Sequence, residues 1–283
     1  QKALLSHPKP YRLKEENMNV REVLCKSVLT KSNLPEVEYC INPYTGCSHG
    51  CRYCYARFMR RFSGHQEAWG DFVDVKINAP EVLRKQMKKS PQVGEVLLGS
   101  VTDAYQPVER KYRITREILE ILLEYGFPVS VLSKSDLVVR DIDLFKRFTS
   151  CEVGLTVTTT DDVIARDFEP FTTPPSKRIE TLAKLCESGV STYAFIGPIF
   201  PGLTDLDAVF SALSGKVRYV MAESLNLRCG NWEDMKRVLD EKYPEYRDEF
   251  RASMSRSYWK DVREHVLALG KRYGIPVKGY YDH

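Results

Sequence analysis

CSHGCRYCYARF, residues 47–58, places three cysteines within eight residues, with Tyr53 and Tyr55 on either side of the third and Arg52 and Arg57 beside them. What surrounds this loop decides the fold. Upstream, VEYCIN (37–42) reads as a strand that runs into it, and downstream YARFMRRF (55–62) reads as a helix. Strands and helices then alternate. FVDVKIN (72–78) is expected as a strand, and Ala79-Pro80 opens a helix to Lys89, the proline standing in the first turn where its missing N–H costs little. GEVLLGS (94–100), PVSVLSKS (128–135), CEVGLTVTTT (151–160), VSTYAFIGPIF (190–200) and VRYVMAESL (217–225) are further strands. Between them lie the amphipathic helix 114–126, ended by Gly126, a short helix at 140–148, a helix at 174–189 with Ser176 as its cap and Gly189 as its stop, and a helix at 204–215. Beyond Trp232 the chain is mostly helical, notably over 257–274.

Regular alternation with short connections implies parallel strands joined by right-handed crossovers. No glycine fingerprint for a dinucleotide follows the first strand, which argues against a doubly wound sheet. The expected fold is therefore α/β, a partial (β/α)6 TIM-like barrel over residues 35–228. An N-terminal arm (1–34) precedes it, and a C-terminal helical extension (229–283) packs on it. In such barrels chemistry gathers at the C-terminal ends of the strands. The strand ends are the cysteine loop, Lys76 and Asn78, GSVTDAYQP (99–107), LSKS (132–135), TVTTTD (156–161), GPIFPG (197–202) and ESLNLR (223–228).

Bulk composition bounds the class. With 43% hydrophobic and 28% charged residues, the 283-residue chain can bury a full core and shows no disorder signature. No apolar run reaches membrane-spanning length, and QKALLSHPKPYRLK has no apolar stretch of the secretion-signal kind. A net charge of +4 is compatible with an anionic partner without requiring one. Arg52, Arg57, Arg60 and Arg61 cluster beside the cysteine loop; they either meet phosphates or form a solvated face, whereas Lys85, Lys88 and Lys89 read as a solvated helix face. Of eight cysteines only three are clustered, so a disulfide framework is disfavoured and a reducing, cytoplasmic setting is expected.

The spacing Cys47-x3-Cys51-x2-Cys54 leaves zinc and iron–sulfur. Structural zinc wants four ligands, usually as two pairs, and the second pair is missing; His49 is placed awkwardly between the first two thiols. A four-iron cluster normally takes four thiolates, so three would leave one iron open. An open iron suits a bidentate amino and carboxylate ligand, and S-adenosylmethionine offers one. Reductive cleavage of its sulfonium would give a 5′-deoxyadenosyl radical, with the protein placing and shielding it.

Cys47, Cys51 and Cys54, with Tyr53 between the last two, resemble the signature loop of the radical S-adenosylmethionine superfamily. Within that superfamily, GCSHGCRYCYARF, VDVKINAPEVL, GSVTDAYQPVE, VLSKS and VTTTD are similar to spore photoproduct lyase and its relatives labelled DNA repair photolyases. The resemblance implies a 4Fe-4S cluster on the three cysteines, S-adenosylmethionine as co-substrate, and an electron donor such as flavodoxin or ferredoxin. It places Tyr53 against the adenine, Thr102 at the methionine amino group, and Lys134 with Thr156 or Thr158 at the methionine carboxylate. Tyr53 and Tyr55 match a pair proposed to relay a radical. Ser100 stands where the lyases carry a hydrogen-donating cysteine; a serine O–H bond is too strong for that step, so spore photoproduct repair itself does not follow.

The remaining residues have two readings each. Asp103 and Glu109 flank AYQP and either do acid–base work or organise the loop. Asp161 caps the next helix. Lys76 and Asn78 reach the cofactor or end in solvent. Cys229 is the thiol best placed to replace the missing hydrogen donor, or is structural. Cys25, Cys40 and Cys151 are structural, and Cys186 faces the core. The substrate is expected to be DNA or RNA, with a peptide or small molecule as the alternative and a non-catalytic zinc module as the competing class.

Overall fold

The computed structural model describes residues 18–35 and 37–283; residues 1–17 of the expected N-terminal arm, His7 among them, lie outside the described residues. The strands in chain order are β1 (Asn19–Val23), β2 (Leu29–Lys31), β3 (Tyr39–Ile41), β4 (Tyr44–Thr45), β5 (Phe72–Lys76), β6 (Val96–Leu98), β7 (Val129–Ser133), β8 (Cys151–Thr156), β9 (Ser191–Ile196), β10 (Tyr219–Glu223) and β11 (Val277–Tyr281).

The larger sheet has the order β11-β10-β9-β8-β7-β6-β3-β2. Every pair from β3 through β10 is parallel, as alternation with helices requires. These strands are apolar runs because both faces are covered; Val129, Val131, Val153, Leu155, Ala194 and Ile196 are all buried. On one flank the helix Ile114–Glu124 turns Ile118, Leu119, Ile121 and Leu122 inward, each worth about 1.5–3 kcal/mol relative to exposure. The C-terminal helix Arg256–Tyr273 stops at Gly274 in the left-handed region, and the chain re-enters the sheet as β11, parallel to β10. No strand is expected there from the sequence, because VKGYY is short and follows the longest helix.

FVDVKIN does form a strand, but not in this sheet. β5 pairs with β1 in parallel and with β4 antiparallel, making a separate three-stranded sheet. Only Asn42 and Pro43 separate β3, in the large sheet, from β4, in the small one. The cysteine loop that follows thus hangs from the junction of two sheets. YARFMRRF is a 3-10 helix, Tyr55–Phe62. Two local expectations are corrected. The helix Pro175–Glu187 is preceded by Pro174, and Ser176 is bonded through both its N–H and its hydroxyl to Asp162 instead of capping. Cys186 is exposed, on the solvent side of that helix.

Candidate functional site

The cysteine loop is held from below by groups the sequence gives little sign of. Gly46 has φ +85°, and a Cβ there would sit 2.5 Å from the Phe72 carbonyl oxygen, so only glycine lets the loop leave β4 so close to β5. Gly70 approaches the Gly50 Cα as tightly; a Cβ would fall 2.7 Å from it. Fully buried Gln106 clasps the loop on two sides. Its Nε2 donates to Gly46 O at 3.3 Å and to Thr102 Oγ1 at 2.9 Å, while its Oε1 accepts from Ser48 N at 2.9 Å. Thr102 Oγ1 donates in turn to Gly46 O at 2.6 Å.

On that footing Cys47 and Cys51 are buried and Cys54 is half-buried, all three as free thiols. Burial pushes the Cys51 thiol well up and, with Cys47 nearby, carries Cys54 to about 11. Ser48 Oγ is buried with no hydrogen-bond partner. Among the described residues no three His, Cys, Asp or Glu side chains close on one ion-sized point, as a zinc site demands of its ligands.

Asp103 organises the next strand end. Its Oδ1 accepts from Ser133 Oγ and from Tyr105 N, each at 2.8 Å, and its Oδ2 from Lys134 N at 2.8 Å. His49 Nδ1 lies 3.3 Å from the same Oδ2. Burial opposes charge on both partners, yet Cys47 and Asp103 lift His49 to about 9, and His49 with the backbone donors holds Asp103 at about 2. His49 is therefore tied to Asp103, and Asp103 organises its loop. Glu109 does likewise: it is buried, accepting from Tyr44 OH, from Thr115 N at 3.0 Å and from Arg140 Nη2 at 2.6 Å.

Lys134 leaves the end of β7 with its Nζ 5.7 Å from the centre of the Tyr53 ring. Burial alone would lower its pKa, but Cys51 and Glu169 outweigh that and hold the ammonium above the usual lysine value. Cys51 is itself a thiol at neutral pH, so Glu169 supplies the support that is present there. Tyr53 OH donates to Glu169 Oε1, and Glu169 Oε2 is paired with Arg178 Nη2, both residues fully enclosed. Arg178 further donates to Thr173 O at 2.5 Å, Thr156 O at 2.9 Å and Thr172 Oγ1 at 2.7 Å. Thr158 Oγ1 points at Glu169 Oε1 from 3.4 Å. Lys134 thus stands against Tyr53, Thr158 joins it through Glu169, and Thr156 is linked through its carbonyl to Arg178; the Tyr53 backbone carbonyl also accepts from buried Asn231 at 2.8 Å.

The third grouping is at the rim. Tyr55 OH donates to the Ser100 carbonyl, and Ser100 Oγ accepts from Asn42 Nδ2 at 3.0 Å. Lys76, on the small sheet, is not a solvated end: its Nζ donates to Asn42 O at 2.8 Å. Asn78 turns away to Cys25, accepting from its N at 2.8 Å and donating to its O at 3.0 Å. Cys229 is half-buried, donates to Asn226 O at 3.4 Å, and burial pushes its thiol up. Arg57 is committed internally, to Asp234 Oδ2 at 2.9 Å, Gly230 O at 3.0 Å and Arg52 O at 2.8 Å, so it is not available to a phosphate. Asp161 caps its helix, accepting from Val163 N at 2.7 Å and Ile164 N at 3.1 Å. Sequence reasoning misses Gln106, Asn42, Glu169, Arg178 and Asn231; Glu169-Pro170 and Arg178 carry no motif, and only burial reveals them.

Comparison with known proteins identifies the family. Residues 41–211 match the family model described as the radical SAM superfamily. An uncharacterised protein of Methanocaldococcus jannaschii is 35% identical over 94% of this chain and 98% of its own length. Spore photoproduct lyase of Bacillus subtilis is 23% identical over 83% of this chain and 68% of its own. A solved spore photoproduct lyase, complexed with dinucleoside spore photoproduct, superposes with a TM-score of 0.62 over 93% of this chain and 81% of that one, at 15% identity. No helix of the described residues is long and apolar enough to cross a membrane.

Proposed function

The chain belongs to the radical SAM superfamily, and from that premise we propose that it is an enzyme that abstracts hydrogen from a nucleic acid, in its repair or modification. The superfamily implies a 4Fe-4S cluster and S-adenosylmethionine, and the residues present fit them. Three free thiols sit on one buried loop, an unpartnered Ser48 hydroxyl lies beside them, and an ammonium stands over the Tyr53 ring. Cys47, Cys51 and Cys54 would hold the cluster, leaving one iron for the methionine end of the co-substrate. When bound, the pair supplies a 5′-deoxyadenosyl radical.

The chain's own residues do the rest. Lys134 offers a permanent positive charge to a carboxylate. Thr102 spends its one proton on Gly46 O and one lone pair on Gln106, which leaves a second lone pair to accept from an amino group. Tyr53 presents a ring fixed at its hydroxyl by Glu169 and at its backbone by Asn231. Cys229 stays protonated at neutral pH, the form a hydrogen-atom donor needs, and Ser100 is not a thiol.

The single observation that carries the enzyme reading is the loop of three unpaired thiols under Lys134 and Tyr53. Nucleic acid as the substrate class rests on likeness to a lyase whose solved structure carries a dinucleoside, and on Arg60 and Arg61 near the loop, each held by one backbone carbonyl. Anaerobic reconstitution with iron and sulfide tests the enzyme. A brown protein that forms 5′-deoxyadenosine from S-adenosylmethionine under a strong reductant is expected, with both properties lost in Cys51→Ala. A colourless protein holding one tight zinc would refute it.

A further inference from the structure

The 3-10 helix Tyr55–Phe62 leaves the cysteine loop with its rings uncovered. Tyr55 is 48% exposed, Phe58 37% and Phe62 69%. Side chains three apart eclipse in a 3-10 helix, so Tyr55, Phe58 and Arg61 stand in one row. Phe62 closes the row edge-on to Phe58, at 6.4 Å between centroids and 86° between planes. The Arg61 guanidinium lies 5.7 Å from the centre of the Phe58 ring and 5.4 Å from that of Phe62. Folding gains little from rings left in water, and an exposed cluster of this kind marks a surface with a partner.

Charge says which partner. From Arg52 to Gln66 the chain carries four arginines and no carboxylate. Arg57 is consumed internally, but among the described residues Arg60 donates only to the Glu67 carbonyl, at 3.4 Å, and Arg61 only to the Phe58 carbonyl, at 3.2 Å. Both guanidiniums keep donors for an anion. Rings left in water beside guanidiniums with donors to spare are what sequence-tolerant recognition of unpaired bases requires, since every base has a π-face and every nucleotide a phosphate. A duplex hides its base faces in the stack. The row also begins at Tyr55, whose hydroxyl is bonded to the Ser100 carbonyl at the rim of the candidate site.

We propose that Tyr55, Phe58 and Phe62, with Arg60 and Arg61, form a stacking platform for a single-stranded nucleic acid and lead one nucleotide toward the cysteine loop. This rests on the nucleic-acid reading above and names the form of the substrate. Aromatic contacts set the affinity of the bases, and the two arginines set its salt dependence.

Fluorescence anisotropy of the full chain with labelled oligothymidine, oligouridine and a duplex, at two salt concentrations, tests it; the two single strands separate DNA from RNA. Single strands are expected to bind more tightly than the duplex. Phe58→Ala/Phe62→Ala should lose about tenfold or more in affinity with the salt slope kept, because a base–ring stack is worth that much. Phe58→Trp/Phe62→Trp should restore it. Arg60→Ala/Arg61→Ala should flatten the slope of log affinity against log salt by about 1.4, two phosphates at about 0.7 each. Melting temperature and iron content report that each variant is folded. If the alanine ring pair binds like wild type, the platform is wrong while the nucleic-acid reading stands. If wild type binds the duplex as well as the single strands, the single-strand assignment is wrong. If wild type binds no oligonucleotide at either salt, the substrate reading falls with it, and 5′-deoxyadenosine formation still decides the enzyme reading independently.

Discussion

Replacing Arg178 by methionine tests the frame of the site. The guanidinium is fully buried, paired with buried Glu169, and makes three further hydrogen bonds of 2.5–2.9 Å to Thr173 O, Thr156 O and Thr172 Oγ1. Removing one partner of such a pair leaves the other as an uncompensated buried charge, a loss of about 3–5 kcal/mol. At about 2–4 °C per kcal/mol for a chain of this size, the apoprotein should melt roughly 6–20 °C lower. The pair's own contribution is separable from the lost bonds. Arg178→Met/Glu169→Leu removes both charges together, so it should be more stable than Arg178→Met alone, although Tyr53 OH and the Thr156 carbonyl then lack partners. The coupling from the four-variant cycle, read by urea unfolding, should exceed about 2 kcal/mol. The variants that lack Glu169 should also bind S-adenosylmethionine less tightly, because Tyr53 loses its anchor. The reasoning fails if Arg178→Met costs under about 1 kcal/mol, or if the two single losses simply add.

The Asp103 carboxyl is held at about 2 against an ordinary 3.8, its burial outweighed by His49 and the backbone donors, so its contribution is present above about pH 4 and lost as pH falls through 2. That gap corresponds to about 2 kcal/mol; Asp103→Asn should be less stable at pH 7 and show a shallower acid limb than wild type, and parallel limbs in denaturation midpoints against pH would refute the assignment. Gln106→Leu strands the Ser48 N–H and one acceptor site at Gly46, at about 1–3 kcal/mol, and should slow cluster reconstitution followed by visible absorbance; an unchanged rate would show that the loop holds itself. Gly46→Ala drives a Cβ into the Phe72 carbonyl at positive φ and should cost roughly 1–3 kcal/mol; a melt superimposable on wild type would mean that β5 gives way freely.

The parallel sheet and the cysteine loop are legible in the amino-acid sequence, the small sheet and the buried charges are not, and the division has a physical basis. Apolar runs separated by amphipathic helices announce a parallel sheet, and Cys-x3-Cys-x2-Cys marks a candidate metal-binding loop because thiolate spacing is the chemistry. β5 reads as one more barrel strand because alternation reports that a segment is a strand and not which neighbour it takes; its partner β1 is exposed along most of its length and its partner β4 is two residues long, so neither advertises itself. β11 is hidden because VKGYY has a glycine at its centre and little of it is buried. Cys186 misleads because a cysteine on an amphipathic helix sits at the boundary of the apolar stripe, and the stripe here stops at Leu182 and Leu185. Glu169 and Arg178 are invisible since a charged pair looks alike in sequence whether it lies in water or at zero exposure.

The contrast between the two faces of the cysteine loop bears on how such a site works. Beneath it, the chain encloses Glu169, Arg178, Asp103, Glu109 and His49, groups whose desolvation offsets most of what their pairing returns. Stability alone does not explain them, because well-packed apolar residues would serve as well. What they provide is direction: Glu169 holds the Tyr53 hydroxyl, Asp103 faces the His49 ring of the loop, Arg178 holds Glu169 and the Thr156 carbonyl, and Glu109 anchors Tyr44 just ahead of the loop. Above it, Tyr55, Phe58 and Phe62 are left in water with two lightly held guanidiniums. In the enzyme proposed above, a reactive radical would need rigid walls on the side where it is made and an adaptable surface on the side where a substrate would enter. Loosening the buried network should therefore show first in cofactor binding and cluster retention. Stripping the exposed rings should leave both intact and show only in the binding of the substrate.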